Sequence, residues 1–171
     1  MTPPDRDSAG RSMGQIVFDG RPVADRESAR NALRRQAVGF VFQRFNLIPV
    51  LSAADNVAVS LRVRGMKANG QTEPLFEALG IEHLRRRKPG EMSIGEQQRV
   101  AVARAMAHRP ALLLADEPTG NLDSDNASEL LGIFRRMNEQ FGQTVVMITH
   151  SAEAAGGADR VVRMKDGRVE S

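Results

Sequence analysis

The chain has no cysteine, no tryptophan and no tyrosine, so phenylalanine supplies every aromatic ring. Without cysteine, disulfides and thiolate metal sites are excluded. No apolar run approaches the ~20 residues that a helix needs to span a bilayer, so no transmembrane helix is expected. The stretch Met1 to Gly14 lacks an apolar segment, so no signal peptide is expected either, and a cytoplasmic location is the default. Neither sign of charge dominates: 24 Lys and Arg stand against 21 Asp and Glu, a formal +3. The one dense basic cluster, Arg85-Arg86-Arg87-Lys88, lacks the interleaved aromatics on which single-strand binders stack bases. It reads as a solvated loop face with no nucleic-acid partner. At 171 residues and 41% hydrophobic content, the chain is one domain, or part of one, with a real core.

The stretch from Glu91 to Asp123 carries most of the information. Ala111 to Ala115 is a short apolar run, as expected of a parallel strand buried on both faces. Asp116 and Glu117 follow at its C-terminal end, where open α/β sheets place ligands. Two adjacent carboxylates are costly unless a cation or a polar ligand uses them. Taken alone, the pair is equally a strand end with two solvated acids. Just upstream, Ser93 and Glu96 have the spacing of a capping box, ahead of helix formers from Gln97 to Ala107. The free N–H groups of such a helix start suit a phosphate. By capping alone, an ordinary helix accounts for them equally well.

The remaining pattern is α/β. Residues 1–13 are polar and breaker-rich and are expected to be disordered. Gln15 to Phe18 reads as a strand before a tight turn at Asp19-Gly20, and Ser28 to Gln36 as a short basic helix. Val38 to Phe42 reads as a second buried strand that ends at Gln43. An exposed apolar loop, Phe45 to Pro49, follows, and exposed apolar residues beside a ligand loop suggest a partner surface. A helix is expected from Asp55 towards Val63, and another from Glu73 to Leu79, capped by Gly80. Ser124 to Phe141 is amphipathic, with Leu130, Phe134, Met137 and Phe141 as a core stripe ended by Gly142. Thr144 to Thr149 is a β-branched strand leading to His150, and Asp166-Gly167 turns a terminal hairpin.

These segments together resemble ABC-type ATPases. Met92-Ser93-Ile94-Gly95-Glu96-Gln97-Gln98-Arg99 resembles the family's signature motif, and Asp116-Glu117-Pro118-Thr119 its Walker B segment with the catalytic Glu. Asn121-Leu122-Asp123 resembles the D-loop, His150 the switch histidine and Gln43 the Q-loop glutamine. The five occur in the family's order, and the wording is similar to the macrolide-export and lipoprotein-release branch. The resemblance implies an α/β fold: a partial P-loop NTPase (ABC ATPase) domain over residues 14–171, with a mostly parallel sheet core and a small helical subdomain over about 46–108. It implies ATP and Mg²⁺ as cofactors. Asp116 and Gln43 would serve the metal, and Glu117, His150 and Gln43 the chemistry. Ser93, Gly95, Glu96 and Asp123 would serve nucleotide, partly across a pair of domains. Implied partners are a membrane-spanning permease subunit and a second ABC ATPase domain, in a homodimer or a heterodimer. The place of work would be the cytoplasmic face of the membrane.

Two departures stand out. No G-x-x-x-x-G-K-S/T run occurs, nor any Gly-Lys dipeptide, so the backbone cradle and Lys that hold phosphates in this family have no counterpart. Against the family, the chain therefore reads as truncated at its N-terminus, short of the first strands and the P-loop helix. Ile94 stands where the signature has its first Gly, and a β-branched Cβ limits approach to a phosphate. Two other functions compete: a soluble ABC ATPase of DNA repair, and a non-hydrolysing partner of an intact subunit. The short interval from Gln43 to Ser93, without sustained heptads, speaks against the first.

Overall fold

The computed structural model describes residues 16–67, 70 and 72–170; the expectation of disorder at 1–13 and a strand start at Gln15 lie outside the described residues. A hairpin opens the described chain, β1 (Val17–Phe18) and β2 (Arg21–Pro22), closed by Asp19 and Gly20 at φ 50° and 71°. Helix α1 (Glu27–Ala37) leads directly into β3 (Val38–Val41). Three helices follow: α2 (Ala53–Val63), α3 (Glu73–Ala78) and α4 (Ile94–Met106). Then come β4 (Leu112–Asp116), α5 (Ser124–Phe141), β5 (Thr144–Ile148) and α6 (Ala152–Gly156). A second hairpin, β6 (Met164–Lys165) and β7 (Arg168–Val169), turns at Asp166-Gly167 as the sequence predicts. Among the described residues, no helix is long and apolar enough to cross a membrane.

β3, β4 and β5 form a parallel sheet in that order. Val41, Leu113 and Ala115 are buried on one face, under α4. Gly39 allows that close packing, because a Cβ there would come 2.5 Å from the Ala105 carbonyl and 3.1 Å from Leu113 Cδ1. The opposite face corrects the expectation of burial on both sides. Leu112 and Leu114 are only half-buried, and Val146 and Ile148 are 48% and 62% exposed. Period-two alternation places these residues together, so the packed helices cover one face of the sheet. The stripe on α5 also ends early. Leu130, Ile133, Phe134 and Met137 are buried, whereas Phe141 is exposed because no described element covers the last turn. α2 begins two residues before the expected start, since the Ser52 hydroxyl accepts from Asp55 N and caps it there.

His108, past the end of α4, is 6% exposed, and neither ring nitrogen has a hydrogen-bond partner among the described residues. Burial, then the Arg64 charge, lowers its pKa to about 4. The folded protein therefore holds this ring neutral where the unfolded chain, near 6.5, takes a proton. Stability is full above about pH 6.5 and falls as the pH drops towards 4, by about 2–3 kcal/mol from this group. Replacing His108 by Leu should flatten the pH dependence of the unfolding free energy, measured in urea between pH 7 and 4.5, by that amount. An unchanged slope would place the titrating group elsewhere.

Candidate active site

The parallel register sets Asp116 beside Ile148, so the residues that follow β4 and β5 emerge side by side. Glu117 N donates to the Ile148 carbonyl at 2.9 Å, carrying the ladder one step beyond the strand. Glu117 then turns in the left-handed region, φ 44°. For a non-glycine residue this costs of order 1–3 kcal/mol, and such strain gathers at functional sites. The turn presents the carboxylate back to β5. Its Oε1 accepts from His150 N at 2.9 Å, and its Oε2 accepts from the Thr149 hydroxyl at 3.3 Å. Ser151 N in turn donates to Thr149 Oγ1 at 3.0 Å and fixes that hydroxyl. The Glu117 side chain is 19% exposed, while the His150 ring stands free in solvent with Nε2 3.7 Å from Glu117 Oε1. Asp116 is exposed beside it.

Gln43 joins this edge from β3. Its carbonyl accepts from Asn121 Nδ2 at 2.8 Å, and its amide nitrogen lies where a Cβ on Gly120 would come within 2.9 Å. A side chain at 120 would push the Gln43 amide to another position. The structure thus brings Asp116, Glu117, His150 and Gln43 to the C-terminal edge of the sheet. The other four expected residues gather separately, at the starts of α4 and α5. Ser93 Oγ accepts from Glu96 N, and Glu96 Oε2 accepts from Ser93 N at 2.7 Å, the full capping box. That backbone bond holds the Glu96 carboxyl below its ordinary range, helped by His83 at 3.5 Å. Asp123 caps α5, accepting from Asn126 N at 2.8 Å and from the Asn126 side chain. These bonds likewise lower its pKa. A Cβ on Gly95 would overlap the Asn126 side chain, so the two helix starts touch at this glycine. Ile94 is 53% exposed with no positive φ, so the helix itself needs no glycine there. One bond ties the two groups together: buried Gln98 on α4 donates to the Pro118 carbonyl at 2.7 Å.

Thr149, Gln98 and Asn126 escape a reading of the sequence as functional candidates. Thr149 carries one signal, its place directly before His150. The other two are ordinary polar helix residues whose partners lie far along the chain. The apolar loop after Gln43 also differs from expectation. Phe45 and Leu47 are half-buried, Leu47 against the core, and the exposed large apolar residues are Ile48 (38%) and Val50 (74%).

Chemically, Glu117 is an oriented carboxylate that can accept a proton from a water. Mg²⁺ takes hard oxygen donors, usually one or two carboxylates, and fills its remaining positions with phosphate and water. The Asp116 carboxylate and the Gln43 amide oxygen fit that demand. Among the described residues no cluster of three or more His, Asp or Glu forms a denser site.

The profile of the ABC transporter family matches residues 7–120. The chain is 45% identical over 164 residues to the macrolide export ATP-binding/permease protein MacB of Syntrophobacter fumaroxidans, covering 92% of this chain and 23% of that protein. It is 42% identical over 163 residues to the lipoprotein-releasing system ATP-binding protein LolD of Bordetella pertussis, covering 93% of this chain and 71% of that one. Among solved structures, the dimeric bacterial ABC transporter cassette MJ0796 superposes with a TM-score of 0.79 at 35% identity, covering 98% of this chain and 74% of the cassette. CbiO1 of Clostridium perfringens, part of an ABC transporter complex, gives 0.84 at 30% identity, with 94% and 65% covered. The chain thus spans about a quarter of the first relative and most of the second. With its parallel sheet, its oriented Glu117 and these likenesses, the chain belongs to the ABC transporter family.

Proposed function

We propose that these residues form the ATP-binding and ATP-hydrolysing part of a transporter of the MacB/LolD type. The observation that carries the reading is the Glu117 carboxylate, held at the strand edge by His150 N and Thr149 Oγ1, next to Asp116. Glu117 is the general base for the attacking water, and the exposed His150 ring reaches the γ-phosphate. Asp116 and Gln43 would hold Mg²⁺, which would supply charge neutralisation to the phosphates. Ser93, Gly95, Glu96 and Asp123 face a second ATPase domain and its nucleotide, in a homodimer or a heterodimer. Support for pairing comes from the dimeric cassette among the structural neighbours. Residues 46–108 act as the helical subdomain.

The same reading gives the partner. Ile48 and Val50 form an exposed apolar ridge just beyond Gln43 and meet a membrane-spanning permease subunit, on the cytoplasmic face of the membrane. The probe is the permease portion of the MacB relative, purified in detergent. Replacing both Ile48 and Val50 by Ser should weaken its binding at least tenfold and leave thermal unfolding unchanged. Undiminished binding by the double variant would remove the ridge from the reading.

A further inference from the structure

Arg104 lies in the last turns of α4, and burial lowers the pKa of its half-buried guanidinium. Its Nη2 donates to the Phe45 carbonyl at 2.7 Å, and its Nη1 donates to the Asn46 carbonyl. Among the described residues no carboxylate pairs with it within ion-pair distance. Removing a charge in part from water costs free energy, which these two carbonyl bonds offset. What the guanidinium offers instead is a rigid planar fork that fixes two successive carbonyls at once. The gripped segment is the one that runs from Gln43 to the Ile48–Val50 ridge.

The far end of that segment is held as firmly. Asn56 on α2 is fully buried. Its side chain accepts from Ile48 N at 2.7 Å and donates to the carbonyls of Ile48, Leu51 and Ser52 at 3.0–3.2 Å. α2 also touches Arg104, since the Ser60 hydroxyl shares its one proton between the Val57 carbonyl at 2.8 Å and the Arg104 carbonyl at 3.1 Å. Loop, α2 and α4 therefore close a ring of polar contacts, and Arg104 is the residue common to both of its α4 links.

We propose that Arg104 is a positioning residue that makes the Ile48–Val50 ridge move as one body with α4. A displacement of the α4 start, where Ser93 and Gly95 lie, then reaches the partner-facing ridge directly. The proposal rests on the permease reading above for the identity of the partner alone.

The test compares the unchanged chain with Arg104→Met and Arg104→Lys. One arm is hydrogen exchange over residues 45–52, and the other is binding to the permease portion of the MacB relative. In the Met variant, the amides of Ile48 and Leu51 should exchange at least tenfold faster, while Val100 to Ala103 and β4 keep their protection. Binding should weaken at least tenfold. Lys, which can keep one of the two carbonyl contacts, should restore part of both. Exchange within twofold of the unchanged chain would overturn the proposal. So would faster loop exchange with binding intact, because the grip would then not matter to the partner. If the unchanged chain fails to bind the permease portion, the permease reading falls, and the exchange arm still decides whether Arg104 holds the loop. If the Met variant loses protection throughout, Arg104→Gln takes its place, keeping a neutral donor in the same pocket.

Discussion

Purified alone and given Mg²⁺ and ATP, the 171-residue chain should release phosphate no faster than its Glu117→Gln variant. Phosphoryl transfer depends on positioning and on neutralising charge over the β- and γ-phosphates. The chain carries two adjacent carboxylates, Asp116 and the hydrogen-bonded Glu117, and an exposed histidine, all at one strand edge. It carries no G-x-x-x-x-G-K-S/T run to hold the nucleotide against them. If each charge-assisted bond to phosphate contributes about 1.5–3 kcal/mol, losing several removes on the order of 5 kcal/mol. That weakens ATP binding roughly several-thousandfold. Proximity contributes about 7–11 kcal/mol to such a barrier, and a nucleotide that is not held forfeits most of it. Phosphate release well above the Gln variant would refute this and would mean that other residues supply the cradle.

With that cradle supplied, the same substitution should have the opposite visibility. Joined to an added N-terminal segment that carries a G-x-x-x-x-G-K-S/T run, the chain should turn over MgATP, and Glu117→Gln should lower kcat by about 10²–10⁴-fold. ATP binding should persist. Gln has the shape of Glu, its Oε1 can still accept from His150 N, and the Thr149 hydroxyl can rotate to accept from the new amide. What the amide cannot do is take the water's proton. Turnover of the variant within tenfold of the parent would sink the assignment of Glu117 as the base. A variant that no longer binds ATP would instead show Glu117 to be a structural support of the site.

The positions of the candidate site residues are legible, because each stands at the end of an apolar run that periodicity finds. Asp116 and Glu117 close one such run, His150 another and Gln43 a third. Parallel pairing then necessarily brings the strand ends to one edge. The capping box at Ser93 and Glu96 was equally legible, since it is a local, three-residue device. Burial of the sheet was not. Whether Val146 and Ile148 are covered depends on which helices lie over them, and no pattern within β5 carries that. The loop from Phe45 to Val50 was misread for a related reason. It has no repeating period, so nothing local tells Leu47, turned inward, from Val50, turned outward. Arg104, Asn56 and Gln98 make contacts set by the fold alone, to backbone carbonyls that look alike in every residue.

The left-handed turn at Glu117 bears on how this sequence can drift. Asparagine and above all glycine adopt that conformation with least strain, and glutamate offsets its strain only through the bonds its carboxylate makes to β5 and the residues after it. Were chemistry no longer selected at this position, substitutions towards Gly or Asn would relax the backbone. Each would also strip the carboxylate from its place beside His150 N and Thr149 Oγ1. Backbone strain and the two carboxylate hydrogen bonds therefore pull in opposite directions at 117, and only an acid or amide of this reach keeps the second at the cost of the first.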